Sequence, residues 1–443
     1  MSFLVRGTVL QTPGHDRLEV LEDVLIAVGD SGTIRSVSAA AQDDLADYTL
    51  PPGHVLIPGL IDTHVHAPQW PQLGTGYDLP LEQWLFAYTF PLEARYQDLA
   101  FATSVWDDLV PALLRRGTTT AVYYGSIHGP ATTALAEACL RHGQRAFVGR
   151  VAMDHPEGTP EFYRDIDAAT AVADSHRSVE AIRGLPDNSG LVRPIITPRF
   201  IPACSNAALE GLGELAAATG TPVQTHCSES DWEHGYVLDR FGRTDADQLH
   251  RFGLVGDHSV LAHATHLTDD DRRLLRSAGA GVAHCPLSNA YFSNAVFPAR
   301  RAIESGLRVG LGTDIAGGPE PAVLAQCHHA VTASRLLEDG VDVGRPPGER
   351  GVADSRIDIT TAFWLATVGG ADLLGLPVGL LEVGRSFDAV VIDRARVVPS
   401  VEAEPDNWEL VFERLVRNTG PEAIRSVWVN GNQVVDHDRD DDH

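Results

Sequence analysis

Among the 19 histidines of the chain, two stand two apart in Asp62-Thr63-His64-Val65-His66, directly behind the apolar run Val55 to Leu60. Residues two apart on a β-strand face the same way. His64 and His66 can therefore offer two imidazole nitrogens to one cation if the strand ends at an open mouth. A His-x-His pair also arises by chance as two ordinary strand-end histidines, so the remaining polar segments decide its meaning.

Those segments supply complementary groups. Apolar runs end in Thr225-His226-Cys227-Ser228-Glu229, in Leu261-Ala262-His263-Ala264-Thr265-His266, in Ala283-His284-Cys285-Pro286 and in Gly312-Thr313-Asp314. A catalytic zinc takes nitrogen and oxygen ligands and keeps one position for water. His64, His66, His226 and Asp314 meet that requirement, and Asp314 can also take the water's proton. Glu229, three residues after His226, can turn its carboxyl to a bound substrate; the alternative is an exposed glutamate at a helix N-terminus, favoured by the helix dipole. His263 is expected to orient the reacting water or support a ligand. His284 has no assigned role, and His266 is expected in a loop.

Such residues converge only if their strands run parallel and end on one side. Eight apolar runs fit that requirement: His54 to His66, Thr118 to Ser126, Arg145 to His155, Val192 to Phe200, Pro222 to Glu229, Ser259 to His266, Gly281 to Asn289 and Arg308 to Asp314. Stretches with helical spacing separate them, such as Ala131 to His142 and Asn206 to Thr219. Eight βα units point to an α/β fold, a TIM-like (β/α)8 barrel over residues 58–377 whose strand C-termini form the site. An open doubly wound sheet is the competing arrangement. The chain ends read as β structure: Leu18 to Val37 holds two runs around Gly29-Asp30-Ser31-Gly32, and Asn430-Gly431 is a hairpin signal between apolar runs. Residues 1–57 and 378–443 are expected to pair into one small β-sandwich domain, with a frayed acidic tail from Asp436 to His443.

Composition narrows the chemistry. The chain has 443 residues and a net charge of -26, which opposes binding to nucleic acid or an anionic membrane surface. It holds no lysine, its 34 basic residues all being arginine. That excludes Schiff-base catalysis, pyridoxal phosphate attachment, a P-loop and a metal bridge made by carboxylated lysine. The five scattered cysteines contain no Cys-x-x-Cys pair, which excludes the zinc deaminases built on that motif. With no signal-like start, they suggest a reduced, cytoplasmic setting.

The ordered segments Pro58-Gly59-Leu60-Ile61-Asp62-Thr63-His64-Val65-His66, His226-Cys227-Ser228-Glu229, His284-Cys285-Pro286 and Gly312-Thr313-Asp314 resemble the mononuclear, metal-dependent deaminase branch of the amidohydrolase superfamily. Within it, His66-Ala67-Pro68-Gln69, Asp78 to Leu85, Tyr88-Thr89-Phe90-Pro91-Leu92-Glu93, Thr197-Pro198-Arg199-Phe200 and Asp314 to Gly318 are similar to the guanine deaminase family. Gly384-Arg385-Ser386-Phe387-Asp388-Ala389 is similar to the superfamily's flanking sandwich. The resemblance implies zinc-dependent hydrolysis of guanine to xanthine and ammonia, with one Zn2+ per chain on His64, His66, His226 and Asp314. It implies Glu229 as proton shuttle, His263 as a positioner of the hydroxide, and Gln69, Arg199 and Phe200 as residues holding the purine. Phe200 and Trp84 are candidate apolar walls for the ring, with ordinary core packing as the alternative. A homodimer follows from the same resemblance. The alternatives are an aminohydrolase for a triazine, pterin, oxidised guanine or adenine-type ring, and a metal-free scaffold protein of the same fold.

Overall fold

The computed structural model describes residues 2–397 and 407–437. Thr118–Tyr124 shows why its central strands form: β-branched and aromatic residues dominate the segment, and all seven are buried, as expected of a strand covered on both faces. It pairs in parallel with Leu60–His66 on one side and Arg145–Gly149 on the other, and Val192–Pro194 continues the ladder. A second parallel ladder runs through Gln224–Cys227, Val260–His263, Gly281–His284 and Arg308–Leu311.

Backbone bonds join the two ladders at both edges. Ile196 bridges Val223, and Gln224 N–H donates to Ile196 O at 2.9 Å. On the far side Asp314 N–H donates to His64 O and His66 N–H to Ile315 O, each at 2.9 Å. The Thr63 hydroxyl adds a bond to Leu311 O at 2.8 Å. Helices such as Leu99–Leu114, Gly129–His142, Asn206–Thr219 and Val323–Asp339 lie between the strands in sequence. Their ends follow local rules: Ser205 caps Asn206–Thr219 through Ala208 N–H, and Gly220 closes it at a φ of 62°.

The expected first strand, His54 to His66, is two strands. His54–Pro58 pairs antiparallel with Ala389–Asp393, and Leu60–His66 enters the parallel ladder. Between them Gly59 N–H donates to Asp388 O at 2.9 Å, a Cβ at this position would lie 2.2 Å from Thr119 Oγ1 and so requires glycine, and Pro58 has no N–H to continue a ladder. The runs expected over Arg145 to His155 and Val192 to Phe200 are likewise interrupted, at Arg150 and at Ile195-Ile196.

The chain ends meet in one hydrogen-bonded sheet of eight strands. Phe3–Gly14, Arg17–Val28, Ile34–Ala39, Tyr48–Thr49 and His54–Pro58 join Ala389–Asp393, Ile424–Val429 and Asn432–Asp436. Val5, Val9, Ile26, Leu56, Phe387, Val391 and Trp428 share its core. Asn430 and Gly431 both have positive φ, 50° and 76°, as a two-residue hairpin turn requires. Arg145 fastens this sheet to the parallel strands through Asp388, with Nη2 2.9 Å from Oδ1. Of the expected acidic tail, residues 438–443 lie outside the described residues. The described cysteines are all free and buried, and among the described residues no helix is long and apolar enough to cross a membrane.

Candidate active site

His64, His66, His226, His263 and His284 occupy the last residues of their strands, and Glu229 and Asp314 follow just past the ends of theirs. Strands expected to reach Glu229, His266, Asn289 and Asp314 stop at Cys227, His263, His284 and Leu311. Ser228, His263, Ala264 and Asp314 then adopt left-handed φ values of 42°, 67°, 51° and 50°. Non-glycine residues seldom occupy that region, and their clustering at one end of the strands marks a functional site.

Ligand atoms of His64, His66, His226 and Asp314, all buried, lie within 4.8 Å of one another. The two Nε2 atoms of His66 and His226 are 2.9 Å apart. Arg199 O accepts from His226 Nδ1–H at 2.6 Å, which leaves the His226 Nε2 lone pair directed at its neighbours. Asp314 Oδ1 is 3.1 Å from His64 Nε2 and 3.5 Å from His66 Nε2. His64 nevertheless has no hydrogen-bond partner on either ring nitrogen, and His66 has none on Nδ1. Burial, followed by the neighbouring rings, pushes the pKa of His64, His66 and His226 well below the usual histidine value. Three neutral imidazoles and a carboxylate facing one point, with buried nitrogens unused by the protein, fit a divalent cation.

Glu229 and His263 border this cluster. Glu229 Oε1 is 3.7 Å from His263 Nε2, and Asp314 Oδ2 is 3.9 Å from it. Asn289 Oδ1 accepts from His263 Nδ1–H at 2.8 Å, which leaves Nε2 as a lone-pair acceptor facing the two carboxyls. The exposed alternative for Glu229 does not apply: the residue is 6 % exposed and precedes Ser230, the N-cap of the helix Asp231–Phe241. Burial, then the nearby Asp314, raises its pKa well above the usual glutamate range, which favours the protonated form. His284 is buried with its ring against Phe297 and is outside the ligand cluster. His266 lies in the loop after its strand, with Nε2 3.0 Å from Asp231.

The same point forms one wall of a pocket with an empty space of about 360 Å³, its open mouth included. Gln69, Trp84, Arg199, Phe200, Glu229 and Phe292 line it beside His66, His226 and Asp314. Trp84 is held there by a 2.8 Å bond from Nε1–H to Thr75 O and by its contact with Phe292.

Several supporting residues have partners that their spacing in the chain does not reveal. Asp62 accepts from Thr313 N–H at 2.9 Å and Thr313 Oγ1–H at 2.6 Å, so it ties the strand bearing His64 to the one before Asp314. Burial pushes its pKa up to about 7 against those bonds. Glu93 accepts from both Arg199 and Gln69. Asn289 fixes the ring of His263, and Glu233 accepts from Glu229 N–H at 2.7 Å. Asp62 and Glu93 stand inside the segments that carried the resemblance; Asn289 and Glu233 had no signal beyond being polar and close to a strand end.

Comparison with known proteins places this geometry in context. The Amidohydrolase family profile matches residues 55–434. A probable guanine deaminase of Schizosaccharomyces pombe is 34% identical over 97% of this chain and 82% of its own length. The guanine deaminase of Homo sapiens is 32% identical over 98% of this chain and 97% of its own. Among solved structures, guanine deaminase from C. acetobutylicum with guanine bound in its active site superposes with a TM-score of 0.88 at 28% identity, covering 98% of this chain and 100% of that one.

Proposed function

This chain belongs to the amidohydrolase family, and on that premise we propose that it is an enzyme that hydrolyses guanine to xanthine and ammonia. The observation that carries the reading is the meeting of the four ligand atoms within 4.8 Å at the wall of the pocket that Gln69, Arg199, Phe200 and Glu229 also line. His64, His66, His226 and Asp314 would hold one metal ion, zinc in this reading, which supplies Lewis acidity and activates water at neutral pH.

The protein's own groups then divide the work. Arg199 carries donors only and points them at the ring carbonyl, while Gln69 meets a second polar edge of the purine. Phe200 and Trp84 exclude water from the ring faces. Asp314 accepts the proton of the attacking water, and the Nε2 lone pair of His263 orients that water. Attack at carbon 2 moves electrons onto the ring; Glu229, in its protonated form, gives its proton to nitrogen 3, then takes the proton of the new carbon-2 hydroxyl and hands it to the departing amine as the carbonyl forms, and the proton held by Asp314 returns to Glu229 for the next cycle. Ammonia leaves in place of the far poorer amide anion.

The same reading takes the two joined ladders as a closed (β/α)8 barrel over residues 58–377, flanked by a small β domain from 1–57 and 378–443. It takes the assembly as a homodimer and the compartment as the cytoplasm; the family resemblance supports the first, and the unpaired cysteines are in keeping with the second. Ammonia release from guanine, adenine, 8-oxoguanine, a pterin and an aminotriazine, with metal measured on the same sample, tests the function. Guanine is expected to be turned over fastest, and faster release from another ring would overturn the substrate assignment.

A further inference from the structure

Glu93 is 1 % exposed and lies on the short helix Phe90–Ala94, remote in sequence from the ligand segments. Its Oε2 accepts from Arg199 Nη1–H at 2.6 Å, and its Oε1 accepts from Arg199 Nη2–H at 3.2 Å and from Gln69 Nε2–H at 3.0 Å. Gln69 Oε1 in turn accepts from Ala316 N–H at 3.1 Å. An acceptor on one side and a donor on the other allow only one orientation of the Gln69 amide. The Phe90 ring lies 4.9 Å beneath the Arg199 guanidinium and completes its seat.

Two physical consequences follow. Glu93 aims both polar groups that the proposed function assigns to the purine. It also offsets the Arg199 charge where both side chains are buried, at 2% and 1% exposure, so the donors Arg199 presents come from an ion pair near neutrality. A bare buried guanidinium would instead draw an anion. We propose that Glu93 is a positioning and specificity-determining residue: it makes the pocket select an uncharged ring carbonyl over a ring anion, and it holds Gln69 in the orientation that reads the ring edge. The inference rests on the roles given to Arg199 and Gln69 under the proposed function.

The probes are hypoxanthine, a neutral purine with the carbonyl, and urate, a ring anion at neutral pH. Calorimetry measures the binding of each to the metal-loaded wild type, Glu93→Gln and Glu93→Asp, a readout that needs no turnover; guanine kinetics and thermal unfolding accompany it. Wild type is expected to favour hypoxanthine. Glu93→Gln is expected to shift the hypoxanthine-to-urate affinity ratio by about tenfold or more toward urate, and to raise the KM for guanine by more than it lowers kcat. Glu93→Asp, which retains the charge, should bind both probes more weakly yet keep the wild-type ratio. A folded Glu93→Gln protein with an unchanged ratio overturns the assignment, because a purely structural role lowers the unfolding temperature without altering which probe is favoured. Wild-type protein that binds the probes as expected but releases no ammonia from guanine overturns the proposed function alone. Wild-type protein that releases ammonia from guanine but binds neither probe overturns the role given to Glu93 alone, and protein that does neither overturns both.

Discussion

Replacing Glu229 by Gln should move activity and stability in opposite directions. The side chain is 6 % exposed, with His263 Nε2 3.7 Å from its Oε1 and Asp314 and Arg199 acting on it through their charge. Burial and then Asp314 raise its pKa. For an acid whose folded pKa exceeds its unfolded value near 4.3, the stability it lends is complete below that unfolded value and is lost as pH rises through the folded pKa. At neutral pH the carboxyl is therefore a cost to folding, and an uncharged amide of the same shape relieves it. In metal-stripped protein, Glu229→Gln should unfold at the same temperature as wild type or higher, with the advantage growing as pH rises above the unfolded value near 4.3. The amide carries no transferable proton, so turnover should fall by about a hundred- to ten-thousandfold, or about 2.7 to 5.5 kcal/mol in the barrier. Metal content should stay at the wild-type level. Thermal unfolding across pH, metal analysis and steady-state ammonia release on one preparation give all three numbers. Normal turnover of guanine by folded, metal-loaded Glu229→Gln would refute the shuttle.

Other perturbations test separate contacts. Arg199→Met removes the donors to the ring carbonyl and should cost guanine about 2 to 3 kcal/mol in kcat/KM; because it leaves Glu93 buried without its cation, it should also lower stability by about 3 kcal/mol. An unchanged guanine-to-adenine preference in the folded, metal-loaded variant would remove Arg199 from substrate reading. Asp388→Asn breaks a pair whose side chains are 9% and 1% exposed, and denaturant unfolding should show a loss of about 3 kcal/mol with kcat retained by the folded fraction. Burial lowers the pKa of His284 to about 3, below its unfolded value near 6.5, so the stability it lends is present above 6.5 and lost as pH falls toward 3; in metal-stripped protein, His284→Gln should reduce the proton uptake on acid unfolding by up to one in that window.

How much of this was legible in the chain depends on the range of the interaction. His64 and His66 share a face because strand alternation is local, and His226 and Asp314 could be placed because each ends an apolar run. Arg199 and Glu93, by contrast, are separated by 106 residues; no periodicity connects them, and only packing brings the helix Phe90–Ala94 against the end of the strand Thr197–Pro198. The need for glycine at position 59 is hidden for a similar reason, since it is set by Thr119 on the neighbouring strand. The left-handed turns at His263 and Asp314 carry no glycine to announce them, so the strands read too long at their functional ends. Phe3–Gly14 was not foreseen as a strand, because its partners include Arg17–Val28 and the distant His54–Pro58.

The most direct measurement is xanthine and ammonia formed from guanine by protein stripped of metal and then titrated with zinc. The stripped protein should be inactive, both products should appear in equal amounts, and activity should rise linearly to a break at about one equivalent per chain. Turnover without metal, a break at two equivalents, or no xanthine at full loading would contradict a single metal on His64, His66, His226 and Asp314 serving guanine hydrolysis.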